Sequence, residues 1–324
     1  MNAKRILITP SLFGRYSRAL AMLREAGLDP VFPSYPHPLS EEKLLEVVPG
    51  VAGLIVGLDP VTPRVFQEAT NLRVVAKHGV GVDNIAIEEA TRRGIVVANA
   101  PGSNDQAVAE FTWGLLLALA RSLPAAIKRM EKREWGRVLG VEVAGKILGV
   151  LGTGRIGRKV ARFGGCFGMQ VLAYDKVEDG ELKERFGVRY VPLFEILREI
   201  DFLTVHLPLT PETRGMLGKK ELEMMKESAY LINTARGGIV DEIALFEVLQ
   251  KKKIRGAAID VYSLEPPWES PLLALDNVIC TPHTASDSFE ALCRMDEMAA
   301  ENVIRVLQGR EPLFSVNFHL LKGG

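Results

Sequence analysis

Three polar side chains follow three apolar runs in the second half of the chain, and their types suit proton and hydride chemistry. Arg236 comes after Tyr230-Leu231-Ile232-Asn233-Thr234-Ala235, Glu265 after Ala258-Ile259-Asp260-Val261, and His283 after Val278-Ile279-Cys280-Thr281-Pro282. Oxidising a secondary alcohol requires a base for the hydroxyl proton while a hydride leaves the carbon. An imidazole, with an ordinary pKa of about 6.5, does this near neutral pH, which makes His283 the candidate base. Glu265 suits the other ring nitrogen and would fix the tautomer. Arg236 offers a planar, permanently charged fork for a carboxylate and for polarising the carbonyl beside it. Each residue also has an ordinary reading: a loop histidine, an arginine in a salt bridge or helix cap, a solvated glutamate before Pro266-Pro267. Convergence at one sheet edge is what would make them a site.

The series Gly152-Thr153-Gly154-Arg155-Ile156-Gly157 supplies the partner such chemistry requires. Before it, Lys146-Ile147-Leu148-Gly149-Val150-Leu151 reads as a buried strand; after it, Arg158 to Phe163 continues as a helix. Eighteen residues past Gly157, the run Val171-Leu172-Ala173-Tyr174 ends in Asp175. Strand, tight turn, helix, strand and acid form the layout of a dinucleotide site. Gly152 permits the turn, Gly154 lets the backbone approach a pyrophosphate, and Gly157 lets helix and strand pack closely. Arg155 and Ile156 open the helix, whose free N–H groups and dipole favour an anion. The Asp175 carboxylate accepts hydrogen bonds from a ribose 2′-hydroxyl and repels a 2′-phosphate, while Lys176 partly offsets that repulsion. NAD rather than NADP is the expected cofactor.

Positioning these groups takes alternating strands and helices, the pattern of parallel sheets covered on both faces. Strands are expected near Ile6–Thr9, Pro30–Pro33, Leu54–Gly57, Val74–Lys77 and Ile95–Ala98, with helices such as Tyr16–Ala26 and Ala86–Arg93 between them. A second series begins at Lys146 and continues near Val171–Tyr174, Phe202–Leu207, Tyr230–Asn233, Ala257–Val261 and Val278–Thr281, with a closing helix from about Ser288 to Leu307. The fold class is therefore α/β, with two doubly wound parallel-sheet domains. The glycine series opens the second sheet, which places a Rossmann-type nucleotide domain at 101–289. A discontinuous substrate domain takes 1–100 and 290–324, the tail Glu311–Phe318 returning to it.

Composition narrows the function classes. At 324 residues there is length for two cores, and forty basic against forty acidic residues leave no electrostatic footprint for nucleic acid or an anionic membrane. The most apolar stretch, Trp113 to Ala120, is too short to span a bilayer and reads as a buried helix. The N-terminus runs from Met1-Asn2-Ala3-Lys4-Arg5 straight into a strand, with no sign of a signal peptide. Cys166, Cys280 and Cys293 are few, odd in number and without metal-ligand spacing, so no metal is expected and they read as reduced core thiols. A cytoplasmic protein is expected.

Over nearly its whole length the chain resembles the D-isomer-specific 2-hydroxyacid dehydrogenases, closest to the branch containing D-3-phosphoglycerate dehydrogenases. The resemblance is carried by Val150 to Gly157, Asp201-Phe202-Leu203-Thr204-Val205-His206-Leu207-Pro208-Leu209-Thr210, Leu231 to Gly238, Ala258 to Pro266 and Thr281-Pro282-His283-Thr284-Ala285. It implies a flavodoxin-like substrate domain, NAD, and catalytic roles for Arg236, Glu265 and His283. It places Asp260 at the nicotinamide carboxamide, Thr234, Ala235 and Arg236 along the nicotinamide, and His206 and Pro208 beside the adenosine half. His206 reads equally as a strand-end histidine packed against the loop.

The segment Lys77-His78-Gly79-Val80-Gly81-Val82-Asp83-Asn84-Ile85 resembles the family's substrate loop, with the Gly79 and Val80 amides reaching the substrate carboxylate as a backbone nest does. Lys77 would meet a phosphate as a point charge, or is a solvated lysine ending a strand. His78 would contact substrate or fill the domain cleft, and Asn104 would open the helix that enters the cofactor domain. The implied activity is interconversion of a small D-2-hydroxy acid and its 2-oxo acid. D-3-phosphoglycerate oxidation, a step of serine biosynthesis, is favoured; the alternative is a glyoxylate or hydroxypyruvate (glycerate) reductase. An NAD-sensing scaffold of the corepressor kind is the alternative of another class. A homodimer formed through Leu123–Val143 is also implied.

Overall fold

Among the described residues twelve strands form two separate parallel sheets. The computed structural model describes residues 4–321. The chain divides into two compact units, one running to Asn104 and resuming at Asp287, the other Asp105–Ser286. In the first unit β1 (Lys4–Ile8), β2 (Leu28–Val31), β3 (Gly53–Val56), β4 (Val74–Lys77) and β5 (Val96–Ala98) lie in the order β2-β1-β3-β4-β5. That is the flavodoxin-like order. In the second, β6 (Ile147–Leu151), β7 (Gln170–Tyr174), β8 (Arg189–Tyr190), β9 (Phe202–Val205), β10 (Tyr230–Asn233), β11 (Gly256–Ile259) and β12 (Val278–Cys280) lie in the order β12-β11-β10-β9-β6-β7-β8. The order reverses at β6, so its carboxyl end is the switch point where such sheets bind ligands.

Continuous apolar runs explain the parallel arrangement. All four residues of each of β3, β4, β9, β10 and β11 are buried, which requires cover on both faces. In the second unit the stacked rings of Phe202 and Tyr230, 5.1 Å between centroids, lie on one face. Leu203, Leu231 and Ile259 pack on the other.

Some elements differ from expectation for local reasons. The second strand is Leu28–Val31 rather than Pro30–Pro33, because Lys4 pairs with Leu28 and Leu7 with Val31. Pro30 is tolerated since β2 is an edge strand. The first helix begins only at Ala19, because the chain before it is tied to the buried Asp296: Gly14 N and Ser17 Oγ both donate to Asp296 Oδ2 at 2.8 Å. The cysteines are not core thiols, for Cys166 is exposed and Cys280 and Cys293 are half-buried. Among the described residues no helix is long and apolar enough to cross a membrane.

The C-terminal segment is bound into the first unit by a bridge between Ser315 and Ala98 and by the buried amide of Asn317. Asn317 Oδ1 accepts from Val97 N at 2.8 Å, and its Nδ2 donates to Thr91 Oγ1 and Ile95 O, both at 2.9 Å. Replacing Asn317 by Ala strands these groups in the interior. Urea unfolding should show a loss of about 1–3 kcal/mol. An unchanged midpoint would mean that the Asn317 amide contributes nothing to the unit.

Candidate active site

The polar residues of the second unit are presented by three loops at the carboxyl ends of β10, β11 and β12. After β10, Asn233 folds the turn: its Oδ1 accepts from Ala235 N and its Nδ2 donates to Arg236 O, both at 3.0 Å. Arg236 is half-buried, with Nη1 on Ala235 O at 2.6 Å. Gly237 follows because nothing larger fits, as a Cβ there would lie 2.0 Å from the Tyr262 carbonyl carbon. This close approach brings the Arg236 loop against the loop after β11. Thr234 is buried and bonded through Oγ1 to Thr112 Oγ1 at 2.8 Å, which ties the same turn to the helix Asp105–Ala120.

Glu265 and His283 meet. His283 Nδ1 lies 2.8 Å from Glu265 Oε2, and Glu265 Oε1 accepts from Tyr262 N at 3.0 Å. An ionised carboxylate only accepts, so Nδ1 carries the proton and Nε2 presents its lone pair. Burial would raise the Glu265 carboxyl, but His283, the Tyr262 amide and the charge of Arg236 together hold it below the ordinary carboxylate range. The three residues singled out in the sequence are therefore one electrostatic group.

His283 has φ +51°, a left-handed conformation that costs a side-chain-bearing residue about 1–2 kcal/mol. Asp260 holds it there. Its backbone oxygen accepts from His283 N at 2.9 Å. Its side-chain Oδ1 accepts from Thr281 Oγ1 (2.6 Å) and Thr284 N (3.0 Å), and Oδ2 from Ala285 N (3.0 Å). Burial raises its carboxyl despite those bonds. Asp260 is fully buried, and these bonds tie both of its side-chain oxygens to the 281–285 loop. Sequence reasoning missed this loop-holding role. The donors Thr281 and Thr284 around His283 were the available signal.

The glycine loop follows β6, and each of its three glycines has a different physical cause. Gly152 has φ +90°, and a Cβ there would lie 2.8 Å from His206 O. A Cβ on Gly157 would lie 1.8 Å from Gly152 O, so helix and turn could not close. At Gly154 a Cβ would meet nothing within 4 Å. No neighbour in the protein demands that glycine, and the open space lies at the start of the helix Arg155–Cys166. Arg155 is exposed there, while Ile156 packs towards the core.

Asp175 braces the same loop, its Oδ2 accepting from Thr153 N at 2.6 Å and Thr153 Oγ1 at 3.1 Å. Tyr190 OH donates to Thr153 Oγ1 at 3.0 Å, so β8 supports the turn as well. His206 packs behind the loop, its N–H on Leu151 O at 2.7 Å. Both of its ring nitrogens are buried without a hydrogen-bond partner, and burial pushes the imidazole pKa down to about 3. Pro208 is exposed nearby in sequence, and its carbonyl accepts from Thr213 Oγ1 at 2.6 Å. Open space at Gly154, a free helix start, an acid at the end of β7 and an orphaned imidazole fit a dinucleotide.

The residues expected to hold substrate lie in the first unit. Gly79 O accepts from Ala100 N and Val80 O from Asn99 Nδ2, both at 2.8 Å. Across a trans peptide the carbonyl of residue 79 and the amide of residue 80 point opposite ways, so the Val80 N–H is aimed away from Ala100. Lys77 is buried rather than solvated, and its Nζ donates to Gly57 O and to Asn84 Oδ1, the latter at 2.9 Å. His78 turns inward: Nε2 lies 2.7 Å from Asp296 Oδ1, and the ring packs edge-on against Phe13. Asn104 Oδ1 is buried without a hydrogen-bond partner.

The family model for "D-isomer specific 2-hydroxyacid dehydrogenase, NAD binding domain" matches residues 113–285. The chain belongs to this family. A D-3-phosphoglycerate dehydrogenase of Methanocaldococcus jannaschii is 42% identical over 94% of this chain, which spans only 58% of that relative. A glyoxylate reductase of Korarchaeum cryptofilum is also 42% identical, covering 88% of each protein. Among solved structures, D-lactate dehydrogenase of Aquifex aeolicus, complexed with NAD and lactic acid, superposes with a TM-score of 0.81 at 29% identity, covering 98% of both chains.

As a D-2-hydroxyacid dehydrogenase the chain is an NAD-dependent oxidoreductase, and the glycine loop just described lies inside the matched segment. The unequal roles of its glycines make a separable prediction. Gly154→Ala should keep the wild-type Tm yet weaken NADH binding at least roughly tenfold, about 1.4 kcal/mol, in a fluorescence titration. Gly157→Ala should lose both affinity and stability. Wild-type affinity in Gly154→Ala would show that the open space is not where the cofactor lies.

Proposed function

We propose that this protein interconverts a small D-2-hydroxy acid and its 2-oxo acid, with His283 as the proton-transferring group. The observation that carries this reading is the 2.8 Å contact between His283 Nδ1 and Glu265, which leaves Nε2 as the free base. Bound NAD supplies the hydride exchange. In oxidation Nε2 takes the hydroxyl proton as the hydride leaves the same carbon; in reduction the imidazolium returns that proton to the carbonyl oxygen. Glu265 stabilises the imidazolium and keeps its ring oriented. Arg236 holds the carboxylate and polarises the adjacent carbonyl, assisted by the Gly79 and Val80 amides of the first unit. Gly152, Gly154, Arg155, Ile156, Gly157 and Asp175 are assigned to the cofactor's pyrophosphate and ribose, with His206, Pro208, Thr234 and Ala235 along its length.

Two substrate classes come from the relatives: D-3-phosphoglycerate, which would place the reaction in serine biosynthesis, and the unphosphorylated acids of a glyoxylate or hydroxypyruvate reductase. We assign a cytoplasmic homodimer. In the helix Leu123–Glu131 no residue is buried, and Leu123, Ile127 and Met130 expose one apolar face. Beyond it Trp135 is 93% exposed and Leu139 85%. A second copy would cover this surface.

His283→Ala should lower kcat by about 10²–10⁴-fold while leaving the Kd for NADH within about twofold. Equal turnover in the variant would remove the base assignment. Arg236→Lys should mainly raise KM for the acid, because Lys lacks the two-pronged fork. Tight NADH binding with no turnover on any 2-oxo acid would favour a cofactor-sensing scaffold. For assembly, Ile127→Asp should move the species seen by sedimentation velocity from dimer to monomer, and a monomeric wild type would refute the interface.

A further inference from the structure

The Asp175 carboxylate is held by more than the turn it braces. Its Oδ2 takes both the Thr153 N–H and the Thr153 hydroxyl, and its Oδ1 accepts from Val177 N at 3.2 Å. A carboxylate only accepts, so the Thr153 hydroxyl hydrogen points at Asp175. The 3.0 Å contact between Tyr190 OH and Thr153 Oγ1 is then donated by the tyrosine. Tyr190 OH in turn accepts from Asp179 N at 3.0 Å. Every proton in this relay of hydrogen bonds has one direction: Asp179 N–H to Tyr190, Tyr190 O–H to Thr153, Thr153 O–H to Asp175. Bonds in which each group both donates and accepts strengthen one another, and this relay ends on a charge.

Both ends of the relay are anchored. Thr153 is buried, and its amide holds Asp175 independently of its hydroxyl. At the other end Asp179 Oδ1 caps the helix Gly180–Phe186 by accepting from Leu182 N at 3.2 Å, and its Oδ2 lies 3.1 Å from Arg158 Nη2. Arg158 belongs to the helix Arg155–Cys166 that the glycine loop opens, so the contacts close a ring back onto that loop. Tyr190 enters the ring from the edge strand β8, whose register sets it beside Ala173 of β7, two residues before Asp175. The two carboxylate oxygens are thereby unequal. Oδ2 is committed twice to the loop, while Oδ1 has one partner among the described residues and retains acceptor capacity.

We propose that Tyr190 is a positioning residue for cofactor selection: through Thr153 it pins the Asp175 carboxylate, so that Oδ1 serves a ribose hydroxyl and a 2′-phosphate meets a charge that cannot swing aside. The proposal rests on the assignment of Asp175 to the ribose and deepens it. An acid at this strand end excludes a 2′-phosphate only as far as its position is enforced. A loose carboxylate would rotate away, and the exposed Lys176 beside it would then give the phosphate a partner. Rejection by like charge therefore needs the charge held in place.

Fluorescence titration of the full chain with NADH and NADPH reads this without turnover. The wild type should bind NADH at least roughly 100-fold more tightly than NADPH, because a fixed like-charge contact is costly. Tyr190→Phe, which removes one hydroxyl and keeps the ring, should narrow that ratio at least roughly fivefold, the worth of one hydrogen bond. Thr153→Val should narrow it likewise, and Thr153→Ser, which retains the hydroxyl, should keep it within about twofold of wild type. Because Tyr190 acts through Thr153, the double variant should narrow the ratio no further than Thr153→Val alone. A merely structural tyrosine would lower Tm and weaken both nucleotides in proportion, and an untouched ratio in Tyr190→Phe would overturn the proposal. So would additive effects in the double variant, or comparable wild-type affinities, which need no variant to fold. Asp175→Asn separates the two readings. A changed ratio there, with none in Tyr190→Phe and Thr153→Val, would keep Asp175 at the ribose and remove the relay. An unchanged ratio in Asp175→Asn would remove the ribose assignment and the relay with it.

Discussion

The hydrogen bond from His283 Nδ1 to the Glu265 carboxylate is the constraint around which the second unit is organised. Its two partners come from loops after different strands, and the histidine adopts a backbone conformation that its side chain disfavours. Such an arrangement persists only where the surroundings over-determine it. Here the determinants are the Asp260 carboxylate and carbonyl on the 281–285 loop, the Tyr262 amide on Glu265, and the tight contact at Gly237 that brings Arg236 alongside. Each fixes a backbone amide or a backbone approach, so the geometry of the three side chains is built before any ligand arrives. In an acid–base site this preorganisation matters more than the identity of the base alone.

The same logic separates structure from binding in the glycine loop. Gly152 and Gly157 are small because the protein's own backbone crowds them, and Gly154 is small although nothing crowds it. The first two make the turn and the third leaves room. Asp175 participates on both counts, since its carboxylate braces Thr153 and stands at the end of β7, where a ribose would be read.

Much of this was legible in the sequence because parallel strands buried on both faces write themselves as uninterrupted apolar runs. The residues just after such runs fall at one sheet edge, which is why Arg236, Glu265 and His283 were found together. Pairings made across long sequence gaps were not legible. His78 with Asp296 and His37 with Asp59 join residues whose spacing carries no pattern. Lys77 illustrates the same limit: its position at the end of β4 was readable, but its burial against Gly57 O and Asn84 was not. The bonds of Asp260 to Thr281, Thr284 and Ala285 were likewise not legible, because a motif names a position and not the direction in which the side chain turns.

The account depends most on which nitrogen of His283 carries the proton in the resting protein. Nitrogen-15 histidine NMR reads this directly, and with five histidines in the chain the His283 signals are assigned by their loss in a His283→Gln variant. The predicted spectrum of the neutral ring shows a protonated Nδ1 and a pyridine-like Nε2, and Glu265→Gln should erode that preference. A ring protonated at Nε2, or a tautomer balance that ignores residue 265, would contradict the central claim.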